Sequence, residues 1–238
     1  MKSLILNSGI GSRMGELTQS VPKCLVPLGT LPNILHRQLF FLQEHGIRNV
    51  VITTGFEADK IRKYANENFP NLNFNFVYNP LYHSTNYIYS IYLAREFLQD
   101  DILLLHGDLF FDGEILGKLL QAKESSVVVN HEDILPQKDF KAVIENNLVK
   151  KIGIEFFENA VACQPFYKLL KNDWLLWLKA IEGFCEKGET KVYAENALNS
   201  ILDTMRLLPL DIHPFLCREV DTEQDLGELE KICSVQQK

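Results

Sequence analysis

Lys2-Ser3-Leu4-Ile5-Leu6-Asn7-Ser8-Gly9-Ile10-Gly11-Ser12-Arg13-Met14 decides how the rest of the chain is read. The apolar run is short, breaks at Asn7 and enters a glycine turn, the pattern of a buried strand followed by a loop. It is too short for the core of a signal peptide or for a membrane span. Glycines at a strand end let backbone N–H groups approach phosphate oxygens closely. Two common phosphate loops do not fit. The dinucleotide fingerprint G-x-G-x-x-G needs glycine at 14, where Met14 stands and Gly15 comes one place late, which argues against a nicotinamide-dependent dehydrogenase. The P-loop pattern G-x-x-x-x-G-K-[ST] is absent.

Beyond this stretch, short apolar runs alternate with amphipathic segments. The spacing predicts helices over Asn33–His45, Glu57–Asn68 and Asn86–Leu98, with Gly46 ending the first. Val50–Ile52, Phe74–Tyr78 and Ile102–Leu105 read as strands. This β-α-β-α-β-α-β order implies a mostly parallel sheet covered by helices on both faces, an α/β fold. In the second half, Ser126–Val129 reads as a strand, and Ala142–Ile144 with Val149–Ile152 as a hairpin around Asn146-Asn147. Helices are predicted over Lys168–Glu186 and Glu195–Met205, and short strands over Leu208–Ile212 and Cys217–Val220. A last helix is predicted over Thr222–Cys233, where Thr222 and Asp225 resemble a capping box. Trp174 and Trp177 share an apolar helix face and are assigned to the core. One domain is expected over 1–233, with 234–238 a polar tail or the start of a linker.

Composition excludes several classes. The 238 residues are 46% hydrophobic and 23% charged, ordinary globular values. The formal net charge of −7 is wrong for sequence-independent nucleic-acid binding, which needs clustered cations. The five cysteines are widely spaced and form no C-x-x-C, so reduced thiols in the cytoplasm are expected, with neither a disulfide framework nor a zinc site. No membrane association is expected.

Residues further along the chain give the glycine loop its meaning. Arg13 comes just after the second glycine, and Pro22-Lys23 stands ten residues later in Ser20-Val21-Pro22-Lys23-Cys24-Leu25. Together they resemble the signature of the sugar-phosphate and choline-phosphate nucleotidyltransferases, roughly L-x-x-G-x-G-x-R…P-K-x-L. Such members also carry G-D after a central strand and a late I/V-D-T-x-x-D-L. Gly107-Asp108 and Val220-Asp221-Thr222-Glu223-Gln224-Asp225-Leu226 match both. The resemblance runs from Leu6 to Leu226. It implies a single-domain Rossmann-like (GT-A-like) fold with a mixed, mostly parallel sheet.

The chemistry such a fold would carry explains the residue types. Attack of an anionic oxygen on the α-phosphorus of a nucleoside triphosphate brings negative charges together, so the protein must position and neutralise. Loop N–H groups would hold phosphates, Arg13 would clamp departing pyrophosphate, and Lys23 would place a point charge near the α-phosphate. The resemblance implies that Asp108 and Asp221 hold Mg²⁺. Their plainer readings are a turn aspartate and a helix-capping aspartate. Asp112 is expected only to start the next helix. A relative of this fold that has lost catalysis and serves as a nucleotide-binding module would lack some of these groups; all four are present.

The segment Asn79-Pro80-Leu81-Tyr82-His83-Ser84-Thr85-Asn86-Tyr87-Ile88-Tyr89-Ser90 narrows the branch. Hexose-1-phosphate members usually have a glutamine and a glycine-rich stretch here. N-P-x-Y-x-x-T-N-x-x-Y-S is instead similar to the bacterial choline-phosphate and 2-aminoethylphosphonate cytidylyltransferases, which use CTP. Asn7, Ser8, Gly9, Gly11, Ser12, Thr85, Asn86 and Ser90 are then the expected nucleotide-binding residues. Thr85 could instead cap the following helix, and the tyrosines are expected in the core. For the acceptor, a quaternary ammonium is read by aromatic faces. Choline readers of this branch carry an aromatic residue where this chain has Ala194, before Glu195. A weakened cage favours a primary amine, so 2-aminoethylphosphonate is expected first, phosphocholine second and a sugar 1-phosphate a distant third. Asp133 and Glu195 are candidates for the ammonium, Lys138 and Lys141 for the phosphonate. His131-Glu132-Asp133 is discounted as a metal cluster, because consecutive strand residues face opposite ways.

Overall fold

The computed structural model describes residues 1–29 and 31–236. Strands β1 (Lys2–Asn7), β2 (Asn49–Thr54), β3 (Asn73–Tyr78) and β4 (Ile102–His106) alternate with helices α1 (Ile34–Glu44), α2 (Ala58–Asn68) and α3 (Tyr87–Ala94). Then come β5 (Leu109–Phe111), α4 (Gly113–Gln121), β6 (Ser126–Asn130), β7 (Lys141–Glu145), β8 (Leu148–Gly153) and β9 (Ala160–Leu169). The chain continues through α5 (Lys171–Glu186), α6 (Ala194–Asn199), β10 (Leu208–Asp211), β11 (Cys217–Glu219) and α7 (Glu223–Gln236). The main sheet runs β10-β6-β9-β4-β1-β2-β3, with the β7–β8 hairpin carried on the side of β9. β1, β2, β3 and β4 are parallel, as are β6 and β10, while β9 runs antiparallel to both β4 and β6. This is a mixed, mostly parallel α/β sheet of Rossmann-like type, as the element order implies.

Alternation along the strands divides the core. Leu4, Leu6, Val51 and Leu104 face α3, α5 and α6, where Ile88, Trp174, Trp177 and Ala197 are buried. Ile5, Val50, Ile52, Leu103 and Leu105 face α1, α2 and α4, where Leu39, Ile61 and Leu116 are buried. Each such side chain stabilises by about 1.5–3 kcal/mol on transfer from water. Trp174 and Trp177 satisfy their indole N–H groups on the carbonyls of Leu98 and Ala194, so they are core residues. A third cluster packs Met14, Val26 and Leu28 from the glycine-loop region against Leu226 and Leu229 of α7.

Local signals account for most boundaries. Asn33 caps α1 by accepting from the His36 N–H at 2.8 Å. Asn146 and Asn147 both take positive φ (52° and 59°), making the tight β7–β8 turn that an Asn-Asn pair permits. Asp112 starts α4 as expected, although its carboxylate accepts from the Leu216 N–H.

The structure corrects three expectations. Residues 160–169 form β9, so the helix expected from Lys168 begins at Lys171. β9 has no clean alternation because both its faces are covered, and Pro165 lies where its register against β6 shifts. The helix expected over Glu195–Met205 is only Ala194–Asn199. Leu109–Phe111, which no expected element covered, pairs antiparallel with β11. The tail expected at 234–238 begins inside α7, and 237–238 lie outside the described residues. Among the described residues no helix is long and apolar enough to cross a membrane. The five cysteines are free thiols.

Candidate active site

The carboxyl ends of β1 and β4, the loop after β1 and the end of β11 meet at one point. Gly11 takes φ 74°, and a Cβ there would stand 2.9 Å from Lys23 Cβ, so glycine lets the loop close over Lys23. Thr18 Oγ1 and the Met14 N–H both donate to the Gly11 carbonyl at 2.9 Å, pinning that turn. Asp108 follows β4 through Gly107, and its carbonyl accepts from the Val220 N–H at 3.0 Å. The two stretches that present Asp108 and Asp221 are thus tied together through their backbones.

Lys23 Nζ donates to Asp108 Oδ2 at 2.6 Å and to Asp221 Oδ1 at 2.5 Å. Arg13 Nη1 stands 3.0 Å from the other Asp221 oxygen. The four residues singled out in the sequence are therefore in one constellation. Burial draws the Lys23 ammonium down, but the charges of Asp108 and Asp221 outweigh it and its pKa lies above the ordinary value. Burial pushes the Asp108 carboxyl up, but Lys23 outweighs it and holds the group below the usual carboxylate range. Asp108 Oδ1 is buried and has no partner. Asp221 is not the cap of α7: Asp225 Oδ2 accepts from the N–H groups of Asp221 and Thr222 at 3.0 and 2.8 Å, leaving the Asp221 carboxylate to the cations. The Asp225 N–H donates back to Thr222 Oγ1 at 3.2 Å, completing the capping box.

Three clefts open from this point. The first is lined by Asn7, Gly9, Gly11, Ser12, Arg13, Lys23, Asp108 and Asp221. The second, about 170 Å³, is lined by Ser8, Gly9, Asn79, Tyr82, Thr85, Asn86, Tyr87, Ser90 and His106. Every nucleotide-binding residue proposed from sequence falls on these two clefts. Asn86, not Thr85, caps α3, accepting from the Tyr87 N–H at 2.7 Å. Tyr82 and Tyr87, expected in the core, are cleft walls.

The third cleft, about 560 Å³, is lined by Arg13, Asn86, Tyr87, His106, Gln137, Lys138, Asp139, Phe140, Ile154, Tyr193 and Glu219 among others. Of the four acceptor candidates, only Lys138 lies on it. Asp133 is exposed and does not line it. Lys141 is fully buried, donates from Nζ to the Pro136 carbonyl at 2.6 Å and stands 4.2 Å from the centre of the Phe157 ring. Glu195 is buried beneath the cleft, accepting from the hydroxyls of Tyr87 and Tyr167. Its role in the described fold is to hold the Tyr87 ring.

Sequence reasoning missed His106 and Glu219. His106 Nδ1 stands 2.8 Å from Glu219 Oε1, and with Asp108 they bring three ligand-type groups within 4.8 Å of one another. Burial and Asp108 push the Glu219 carboxyl up to about 7, with His106 opposing. Burial lowers the His106 imidazole, yet Glu219 raises it above its ordinary value. A signal existed. His106 and Glu219 stand two residues before Asp108 and Asp221, the strand spacing that places side chains on one face. Tyr193 and Phe140 add aromatic walls, with ring centres 5.2 Å apart, and Tyr193 lies 6.0 Å from Tyr87.

A family described as Domain of unknown function (DUF6564) matches residues 20–152. The chain is 34% identical over 136 residues to the CMP-5'-(3-aminopropyl)phosphonate synthase of Streptomyces rubellomurinus, covering 57% of this chain and 22% of that protein. It is 34% identical over 139 residues to the choline-phosphate cytidylyltransferase of Haemophilus influenzae, covering 57% of each. The chain thus spans well under two thirds of either relative. Among solved structures, the CTP:phosphocholine cytidylyltransferase of Streptococcus pneumoniae superposes with a TM-score of 0.76 at 21% identity over 98% of both chains. At that identity the likeness bears on the fold.

Proposed function

We propose, for a chain that belongs to the family described as Domain of unknown function (DUF6564) and is a homologue of nucleotidyltransferases, a Mg²⁺-dependent cytidylyltransferase of the cytoplasm, built on one domain over 1–233. CMP passes from CTP to a small phosphonate or phosphate. An acceptor oxygen bonds to the α-phosphorus, the bond from that phosphorus to the bridging oxygen breaks, and pyrophosphate leaves. The observation that carries this reading is the Lys23 ammonium set between Asp108 and Asp221 at the end of a glycine loop.

The residues fit a hard divalent cation. Asp108 and Asp221 offer carboxylate oxygens, and Asp108 Oδ1 is buried with no partner, a cost that a ligand would relieve. Asp108 and Asp221 would hold the ion, which when bound supplies charge neutralisation at the phosphates. Lys23 adds a fixed positive charge where the phosphoryl group is transferred. Arg13, 59% exposed, is free to swing from Asp221 onto the leaving pyrophosphate. Gly9, Gly11 and Ser12 line the first cleft, and their loop N–H groups would hold the triphosphate.

For the acceptor we favour 2-aminoethylphosphonate. The third cleft offers cations (Arg13, Lys138) for the phosphonate and carboxylates (Asp139, Glu219) for a primary ammonium, which keeps three donors to satisfy. The similarity to an aminopropylphosphonate synthase supports this choice. Phosphocholine is the second reading, favoured by the rings of Tyr87, Phe140 and Tyr193 on the same cleft. Pyrophosphate release with CTP and Mg²⁺, comparing the two acceptors at equal concentration, tests the proposal. Preference for the phosphonate is expected. Preference for phosphocholine would replace the acceptor, and no release with either would remove the activity.

A further inference from the structure

We infer that Asn79 fixes the hydrogen-bond polarity of Ser90 and so makes the second cleft select cytosine over uracil. This rests on the CTP-dependent reading and goes further, because it names the device that tells one pyrimidine from the other.

Asn79 follows β3 directly and is 1% exposed. Its backbone N–H extends the sheet by donating to the Thr54 carbonyl at 2.8 Å. Its side-chain Oδ1 accepts from the Leu81 N–H at 2.9 Å. A backbone N–H can only donate, so this contact settles which end of the carboxamide is oxygen. The Nδ2 hydrogens then go to Thr85 Oγ1 at 3.1 Å and Ser90 Oγ at 3.0 Å. Both hydroxyls are therefore acceptors towards Asn79.

The hydroxyls differ in where their own hydrogens go. Thr85 Oγ1 donates to the Leu81 carbonyl at 2.8 Å, so Thr85 is spent on the turn. Ser90 Oγ, on α3 and 1% exposed, accepts from Asn79, and its hydrogen is left for the cleft that Asn79, Thr85 and Ser90 line together. Ser90 is thus presented as a donor. The ring nitrogen N3 is an acceptor in cytosine and carries a hydrogen in uracil. A buried donor facing N3 bonds the first and is left facing another donor in the second. Sites that leave a buried polar group unpaired reject the wrong partner strongly. Asn79 is the positioning residue and Ser90 the group that touches the base.

The test is CTP and UTP affinity with Mg²⁺ and no acceptor, measured calorimetrically on the full chain, with thermal melting to confirm folding. The wild type is expected to favour CTP by about a hundredfold or more. Ser90→Ala should cut that ratio about tenfold. Asn79→Asp is nearly isosteric, but its oxygen accepts from the Ser90 hydroxyl, turning a lone pair towards the base; the ratio should collapse or invert in favour of UTP. A purely structural role for Asn79 would weaken both nucleotides together. An Asn79→Asp ratio equal to that of the wild type overturns the inference whatever Ser90→Ala does, and so does an undiminished ratio in Ser90→Ala. A wild type that binds neither nucleotide, or prefers UTP, overturns the cytidylyltransferase reading and this inference with it.

Discussion

The Asn7 carboxamide fills the space that any side chain at Gly107 would need: a Cβ there would fall 1.7 Å from Asn7 Oδ1. The first and fourth strands thus meet at their carboxyl ends through one side chain and one missing side chain. Gly107→Ala should displace the turn that carries Asp108. Misplacement of a reacting group by an ångström costs about 10²-fold, so CMP transfer should fall at least that far. The double variant Asn7→Ala/Gly107→Ala should recover thermal stability relative to Gly107→Ala alone. A Gly107→Ala enzyme of wild-type rate would show that the contact is of no consequence.

Lys23→Ala should cut turnover by about 10²–10³-fold, the loss typical of removing one preorganised charge. It also leaves Asp108 and Asp221 facing each other without the ammonium between them. Mg²⁺ should therefore raise the melting temperature of Lys23→Ala more than that of the wild type. Equal shifts in the two proteins would argue that the carboxylates do not share an ion. Chelation of Mg²⁺ should abolish turnover, and Asp108→Asn should raise the Mg²⁺ concentration needed for half-maximal rate.

Gln38, fully buried on α1, donates from Nε2 to the carbonyls of His106 (2.9 Å) and Leu109 (2.8 Å), which flank Gly107 and Asp108. Gln38→Met keeps the volume and removes both donors. Leaving buried carbonyls unpaired costs about 1–3 kcal/mol. The variant should unfold at lower denaturant with an unchanged slope, and amides of the β4–β5 turn should exchange faster. Unaltered exchange in that turn would mean the two carbonyls find other donors.

The capping box gives a pH dependence. Burial raises the Asp225 carboxyl, but the hydrogen bonds from Thr222 and the Asp221 and Thr222 N–H groups outweigh it, so its folded pKa lies below the unfolded value near 3.8. The stabilisation is present above that unfolded value and is lost as pH falls from there through the lower folded one. Urea unfolding of wild type and Asp225→Asn across that range should converge at the acid end. A constant difference would assign the effect to something other than the carboxylate. Thr222→Ala, which removes the cap itself, should cost about 1 kcal/mol at neutral pH.

Much of this was legible in the sequence because local patterns and tertiary demands agree. β1, β2 and β4 are largely buried apolar runs and β3 is a half-buried alternating one, separated by helices, and Arg13, Lys23, Asp108 and Asp221 stand at strand or loop ends where an α/β sheet gathers its ligands. β9 was not legible: Gln164, Pro165 and Lys168 interrupt its apolar run, and their partners come from elements distant in sequence, such as the α4 carbonyl of Leu120 that accepts from Lys168 Nζ at 2.9 Å. Glu195 and Lys141 were expected at the acceptor, where a charge stays within reach of solvent, and both are buried instead. Their burial depends on two tyrosine hydroxyls in one case, and on a carbonyl with an aromatic ring in the other, none of which spacing reveals. Asn79 stood in the sequence only as the start of the segment that narrows the branch, and its contacts with Leu81, Thr85 and Ser90 required the fold.

The reversed strand β9 has a consequence for how such proteins diversify. The first cleft, proposed above to take the triphosphate, draws most of its lining from the ends of β1 and β4 and from the glycine loop, on one side of β9. Phe140 and Ile154, which wall the third cleft, adjoin the β7–β8 hairpin, which among the described residues pairs with the sheet at β9. Insertions or substitutions in that hairpin can therefore reshape the acceptor side while the register of the parallel strands stays untouched. On the proposed reading, an appendage carried at β9 sets the acceptor while the sheet that holds Asp108 keeps its register.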